Sequence, residues 1–335
     1  MNIQKNISLK PFNTFGIDAV AQQFISISSV EELKEVIKKN ATFFILGGGS
    51  NILFTKEQIP YVIHLNIKAI EIINYADEDV FVKVAAGEEW HSFVLWCIEH
   101  DFGGLENLSL IPGNVGASPI QNIGAYGVEV KDIIEEVETL EIATLQKKVF
   151  SNSDCKFGYR DSIFKKELKG KYIITAVTFK LKTRNHNLHI NYGAIGEELI
   201  KNNISNPTIK DISNSVIAIR ESKLPNPSAI GNGGSFFKNP VINIQHFQEL
   251  QQKYPTIPHY SVSETEVKIP AGWIIEQAGL KGIKKGNTGV HSEQALVIVN
   301  YGNATGAEIL SLSTEIQIAI KAFFDINLEI EVNIF

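Results

Sequence analysis

A chain of 335 residues is longer than a typical single domain and implies two or three compact units. Its 44% hydrophobic content is ordinary for a soluble globule, and a formal net charge of −6 gives no general attraction to nucleic acid or anionic lipid, so an anionic ligand must be held locally. Cys97 and Cys155 lack the spacing of a metal site or disulfide framework, no apolar run is long enough to span a bilayer, and residues 1–15 have no signal-peptide core, so a metal-free cytoplasmic protein is expected.

In chain order, Ser29-Val30-Glu31-Glu32 is a capping-box pattern opening a helix with Leu33, Val36 and Ile37 on one face. A strand over 43–46 follows, then the turn Gly47-Gly48-Gly49-Ser50-Asn51 and the apolar 52–54. Alternation predicts a strand over 79–84, and a helix over 88–100 is closed by Gly103-Gly104. Cys97 lies in an apolar run of that helix and reads as buried filler. The segment 105–127 has Pro112, Pro119 and spaced glycines but no clean period, and its apolar content points to an ordered, functional loop. Strands are predicted over 137–142 and 172–181, and the polar stretch 185–214 reads as an inter-domain connection. Beyond it come helices over 246–253 and 271–278, a strand over 295–300, an amphipathic helix over 307–324 and a terminal strand over 328–335.

Gly47 to Asn51 can point successive backbone N–H groups at an anion, although an ordinary tight turn accounts for the pattern equally well. Neither G-x-G-x-x-G nor a P-loop is present, since Ile52 stands where the third glycine would be. The run from Ile111 to Gly127 offers a second cradle, and two such loops suit a large cofactor with a pyrophosphate in the middle; a buried connecting loop is the alternative. Arg160, in Gly158-Tyr159-Arg160-Asp161, could hold a carboxylate bidentately or simply pair with Asp161. Glu329 and Glu331 share one face of the terminal strand by alternation, either solvated or lining a pocket. Ser235, in Gly231-Asn232-Gly233-Gly234-Ser235-Phe236-Phe237-Lys238-Asn239-Pro240, has no G-x-S-x-G elbow and no nearby histidine, so its hydroxyl has a use other than attack.

These pieces, with Asn13-Thr14-Phe15-Gly16, Cys155 to Phe164 and Ala271-Gly272-Trp273, occur in an order that resembles the UDP-N-acetylenolpyruvoylglucosamine reductase family across nearly the whole chain. The resemblance implies an α+β protein: a two-subdomain FAD-binding fold of the vanillyl-alcohol-oxidase type over 1–70 and 71–214, a C-terminal α+β substrate domain over 215–324, and a terminal strand over 325–335 carrying Glu331. It implies non-covalent FAD lined by Gly47, Gly48, Gly49, Ser50, Asn51, Ile111, Pro112, Gly113, Ser118, Ile120 and Gly124. Substrate contacts are implied for Tyr126, Tyr159, Tyr192, Lys223, Asn239 and Gln294. Asn191-Tyr192-Gly193 resembles the tyrosine loop of the family's longer form.

The chemistry implied is reduction by NADPH of the enolpyruvyl ether of UDP-N-acetyl-3-O-(1-carboxyvinyl)-glucosamine, a step of bacterial cell-wall synthesis. Ser235 would give a proton, while Arg160 and Glu331 would stabilise the enolate-like species. A monomer with no nucleic-acid, membrane or metal partner is expected. From sequence, a flavin oxidase of the same fold and a silent sugar-nucleotide-binding protein remain the competing readings.

Overall fold

A computed structural model describes residues 2–192 and 194–335, so Gly193 of the expected tyrosine loop lies outside the described residues. The chain divides into two compact units, each drawn from separate stretches of sequence. The first takes the N-terminal residues up to Ile7, Ala21–Gly48 and Ile59–Ser222, and the second takes Ser8–Val20, Gly49–Gln58 and Lys223–Phe335. Among the described residues no helix is long and apolar enough to cross a membrane.

The first unit begins with a four-stranded sheet in the order Gln4–Ser8, Val20–Ile27, Gln58–Leu65, Phe44–Leu46. The helix Val30–Lys39 starts where the capping pattern puts it, with the Ser29 side chain accepting from Glu32 N at 3.1 Å and the Glu32 carboxylate reaching back to Ser28 N at 2.7 Å. Its predicted face, Leu33, Val36 and Ile37, packs on Ile25, Ile27, Tyr61 and Ile63 of the sheet. Phe44–Leu46 pairs in parallel with Gln58–Leu65, Phe44 opposite Val62.

A second, antiparallel sheet runs Lys147–Ser151, Ile134–Glu141, Tyr172–Lys182, Asp79–Ala85, Ile70–Ala76. Val177 lies opposite both Val137 and Val84, and the period-2 set Val80, Val82 and Val84 turns into the core with Trp90, Phe93, Val94 and Cys97 of the helix Trp90–Glu99. Each such side chain contributes roughly 1.5–3 kcal/mol by leaving water. Burial pushes the Cys97 thiol well above its ordinary range and that of Cys155 up to about 12, so both stay protonated fillers. The helix begins two residues later than expected. The backbones of Glu88 and Trp90 are engaged by the 113–115 loop (Val115 N to Glu88 O, 2.8 Å; Trp90 N to Gly113 O, 2.9 Å), and the Glu89 carboxylate caps His91 and Ser92 instead.

The polar stretch expected as a connection contains two helices, Ile195–Lys201 and Ile209–Lys223, and position 214/215 lies inside the second. Ile212, Val216 and Ile219 recur at helical spacing and join Ile195 and Leu199 in a small core against Tyr126. A single apolar stripe suffices for a helix, and the many Asn and Lys residues around it masked the period.

The second unit has a sheet ordered Gly231–Ser235, Val297–Asn300, Thr288–Val290, Lys284–Lys285, packed against the helix Gly306–Phe324 through Ile309, Leu312, Ile316 and Ile320. The terminal segment is not one continuous strand. Residues 329–331 pair with 236–238 (Lys238 N to Glu329 O, 2.9 Å; Glu331 N to Phe236 O, 2.8 Å), and only Asn333–Ile334 forms a strand, parallel to Ile52–Leu53. The segment changes partner, which breaks the predicted alternation.

A Cβ on Gly306 would sit 1.8 Å from the Phe54 carbonyl oxygen. Helix propensity alone favours alanine there by about 1 kcal/mol. Gly306→Ala is nevertheless expected to destabilise the protein, by roughly 1–3 kcal/mol of overpacking, seen as a lower urea midpoint; a midpoint at or above wild type would show that the helix start yields freely.

Candidate active site

In the first unit the two glycine-bearing loops meet. A Cβ on Gly48, at the end of the Phe44–Leu46 strand, would lie 2.7 Å from Asn114 Oδ1 and 2.9 Å from Gly113 Cα. The second loop is stapled to the end of the Asp79–Ala85 strand by Gly116 N to Ala86 O (3.0 Å) and braced by the buried Trp90, whose Nε1 donates to Leu108 O at 2.9 Å. The unit boundary falls after Gly48, so Gly49, Ser50 and Asn51 belong to the second unit. There Thr14 N donates to Gly49 O, and the Asn51 side chain donates to Glu331 O at 3.4 Å.

Beyond Ser118 the loop is tied to the arginine turn. Ser162 Oγ donates to Ile120 O at 2.6 Å, and Asn122, fully buried, donates to Gly158 O at 3.0 Å. Gly158 and Asp161 exchange backbone hydrogen bonds, which leaves Tyr159 and Arg160 at the tip, Arg160 with φ +53°. Arg160 Nη2 donates to Gly124 O at 2.6 Å, and its guanidinium lies 5.5 Å from the centre of the Tyr159 ring. Asp161, the alternative partner for Arg160, forms an ion pair with Lys166. Tyr126 follows two residues after Gly124 with φ +49°, and the Tyr192 side chain packs over Gly127. Ile111 lies half-buried, Pro112 and Ile120 exposed, and Tyr159 and Tyr192 are also open to solvent.

In the second unit Ser235 ends the Gly231–Ser235 strand, where the register against Val297–Asn300 slips at Gly233-Gly234. The slip is built by packing: the Phe15 ring fills the place of any side chain at Gly233, and Asn232 donates to Pro225 O and Ile230 O while its own N–H donates to Thr14 O. Ser235 is exposed, and within its unit its hydroxyl makes no hydrogen bond. The 236–238 pairing with 329–331 brings Glu331 beside it along the backbone, one register step away. Glu331 is half-buried, whereas Glu329 is exposed and paired with Lys238. The two carboxylates therefore do not share one environment, and Lys238 is not a spare cation.

Asn239 and Gln294 both reach the start of the helix Ala271–Gln277. Asn239 Oδ1 accepts from Ala271 N at 2.9 Å, and Gln294 Oε1 lies 3.2 Å from where a Cβ on Gly272 would stand. Lys223 is exposed at the end of its helix. Sequence reasoning passed over Arg220, Asn107 and His91. Arg220 is largely buried beside the Tyr126 hydroxyl, and Asn107, 1% exposed, donates to Tyr126 O and His189 O. The signal for Arg220 was present, one residue past the Ile212, Val216, Ile219 stripe, but the helix Ile209–Lys223 that carries it was not read from the sequence, where the 214/215 boundary cut across it.

The profile of the FAD binding domain family matches residues 21–144. The first unit fits that group: Gly48, with no Cβ, lets the two glycine-bearing loops come into contact, Ser118 Oγ is buried with no hydrogen-bond partner among the described residues, and neither loop carries a histidine or cysteine for covalent attachment. The fold and these loops define an FAD-binding oxidoreductase of mixed α and β structure. The profile of the UDP-N-acetylenolpyruvoylglucosamine reductase C-terminal domain matches residues 226–335. The UDP-N-acetylenolpyruvoylglucosamine reductase of Flavobacterium johnsoniae is 57% identical, with 100% of each chain covered, and that of Amoebophilus asiaticus 48% identical, over 100% of this chain and 99% of the other. The crystal structure of the Thermus caldophilus UDP-N-acetylenolpyruvylglucosamine reductase is similar with a TM-score of 0.70 and 25% identity, over 100% and 99% of the two chains. The chain belongs to the UDP-N-acetylenolpyruvoylglucosamine reductase family.

Because the Ser118 hydroxyl has no partner among the described residues, Ser118→Ala is expected to leave the FAD-free protein as stable as wild type or more so. Its affinity for FAD is expected to fall by roughly three- to tenfold, the worth of one hydrogen bond. Fluorescence titration and thermal melting of the apoprotein read the two effects; a destabilised apoprotein with unchanged FAD affinity would make Ser118 a structural residue.

Proposed function

We propose that the protein is a cytoplasmic, monomeric, NADPH-dependent enzyme that reduces UDP-N-acetyl-3-O-(1-carboxyvinyl)-glucosamine to UDP-N-acetylmuramate for peptidoglycan synthesis. Family membership over the full chain supports the reaction class. The chemistry that FAD supplies when bound is hydride transfer from NADPH to the terminal carbon of the enol ether. We assign FAD binding to the glycine loops, and substrate binding to the 215–324 segment with Tyr126, Tyr159 and Tyr192.

Hydride arrival leaves negative charge on the adjacent carbon and its carboxylate, and that carbon must gain a proton. In this reading Ser235 gives its hydroxyl proton to the carbon and recovers one from solvent. Arg160 binds and orients the carboxylate end, Glu331 in its protonated form donates a hydrogen bond to it, and the two stabilise the enolate-like charge. Arg160 is suited to this because Gly124 O and the Tyr159 ring hold its planar fork in place. Asn239 has spent its oxygen on Ala271 N, which leaves its N–H groups to donate to a diphosphate alongside Lys223 and Gln294.

The observation that carries the reading is Ser235 itself, exposed on a glycine slip with no base bonded to it in its unit and with the Glu331 backbone one step away. A nucleophile needs a base, and a proton donor does not. Ser235→Ala is expected to slow flavin reoxidation by substrate by about 10²–10⁴-fold and to leave flavin reduction by NADPH nearly unchanged. Stopped-flow absorbance resolves both half-reactions, and equal losses in the two would remove Ser235 from this role. Arg160→Lys is expected to lose about tenfold or more in the reoxidation step alone, since an ammonium cannot reproduce the fork; reoxidation at the wild-type rate would overturn its assignment.

A further inference from the structure

His91 has no part in the scheme above, yet it joins a core helix to one of the glycine loops through a group that can titrate. The start of the helix Trp90–Glu99 grips the 108–115 segment at successive points. Trp90 Nε1 donates to Leu108 O at 2.9 Å, Leu110 N donates to His91 Nδ1 at 2.9 Å, Trp90 N donates to Gly113 O at 2.9 Å, and Val115 N donates to Glu88 O at 2.8 Å. Backbone and indole groups make the other contacts and do not titrate; the imidazole does. Its partner is also the point of backbone strain. Leu110 has φ +58°, a left-handed conformation that a residue with a Cβ disfavours, and Ile111, Pro112 and Gly113 follow it directly.

A backbone N–H can only donate, so His91 Nδ1 keeps its lone pair and the ring proton sits on Nε2. Protonating the ring would set an N–H against the N–H of Leu110 and remove the acceptor that holds it. The charges that bear on the ring are Glu89, on the same helix, and Arg220, on the helix Ile209–Lys223; residues 107–115, packed against it, include no acid or base. Glu89 is committed to the helix start, its carboxylate accepting from His91 N at 3.1 Å and Ser92 N at 2.6 Å. Burial holds the His91 pKa below its ordinary value; Glu89 opposes this and Arg220 adds to it. The ring is therefore neutral, and able to accept, at neutral pH.

We propose that His91 is a positioning residue for FAD: its neutral imidazole fixes Leu110 in the conformation from which the Ile111-Pro112-Gly113 loop starts, and protonation of the ring frees that loop and weakens the hold on the cofactor. This rests on the assignment of FAD to the glycine loops. It adds to that assignment a latch that acts through Leu110 and depends on pH. The sign follows from the direction of the shift. The latch is intact above the ordinary histidine pKa and is lost as pH falls through the depressed value, so acid loosens the cofactor.

The test dilutes the FAD-loaded protein at a series of pH values from about 8 down to about 4.5, spanning the histidine range, and reads released flavin by fluorescence, while nitrogen NMR follows the His91 ring. In wild type the ring should be the Nε2–H tautomer at the alkaline end, and FAD affinity should fall by about tenfold or more as the ring protonates. His91→Asn places an amide oxygen near the Nδ1 position that does not titrate. It should hold FAD within about threefold of wild type at the alkaline end and lose less on acidification. His91→Leu, with no acceptor, should hold FAD about three- to tenfold more weakly at the alkaline end and also show a shallower acid loss. The proposal is overturned by an Nδ1–H tautomer, by His91→Leu holding FAD as tightly as wild type, or by an acid loss that His91→Asn shares in full, which is what a merely structural histidine would give. If wild type itself retains no FAD at the alkaline end, the cofactor reading fails; if wild type retains it and both variants match it at every pH, only the His91 assignment fails.

Discussion

At Gly48 a single added carbon would have to share space with the Asn114 amide oxygen and the Gly113 backbone, and at Gly231 with the Phe15 carbonyl 2.3 Å away. These approaches let two loops of the first unit form one cradle, and let the serine-bearing strand of the second unit lie on the Asn13-Thr14-Phe15-Gly16 turn. Everything assigned to chemistry hangs from them. Ser162 and Asn122 carry the constraint from the cradle to the arginine turn, and the Phe236 carbonyl carries it from the serine strand to Glu331. A larger residue at these positions would move backbone, and backbone here sets where functional groups stand.

The charge distribution follows a second logic. Surface pairs such as Lys180 and Lys182 with Asp79, or Lys285 with Glu315, match cation to anion and are worth little individually. Arg220 breaks that pattern, being largely buried and facing a phenol rather than an acid. Left-handed backbone at Tyr126 and Arg160 costs roughly 1–3 kcal/mol each. Stability is given up locally, in a part of the first unit whose sheet and helix core, built on Val82, Val84, Trp90, Phe93 and Phe179, is dense enough to carry the loss.

Much of this was legible beforehand where a local rule has a local cause. The Val30–Lys39 helix could be read from Ser29 and Glu32 because the cap is closed by residues a few positions apart, and the Asp79–Ala85 strand from valines two apart because one face is buried. The 185–214 stretch was misread because its apolar stripe is thin and its outer face is rich in Asn and Lys, so composition outweighed period. The terminal strand misled in the opposite way, since its alternation is regular in sequence but its hydrogen bonds pass from 236–238 to 51–55 partway along.

The sequence by itself determined the identities that chemistry requires, glycines where loops must close on a cofactor, an unaided serine, an arginine in a tight turn and a carboxylate near the end, together with the family those residues mark. Tertiary structure decided which of them have partners: Lys238 is taken by Glu329, the Asn239 oxygen by Ala271 N, and Ser118 Oγ and Arg220 Nε by nothing among the described residues. Residue type follows from the code one position at a time, whereas burial and hydrogen-bond satisfaction depend on segments distant in sequence, 91 residues for Lys238 and Glu329 and 32 for Asn239 and Ala271, and only folding brings those together.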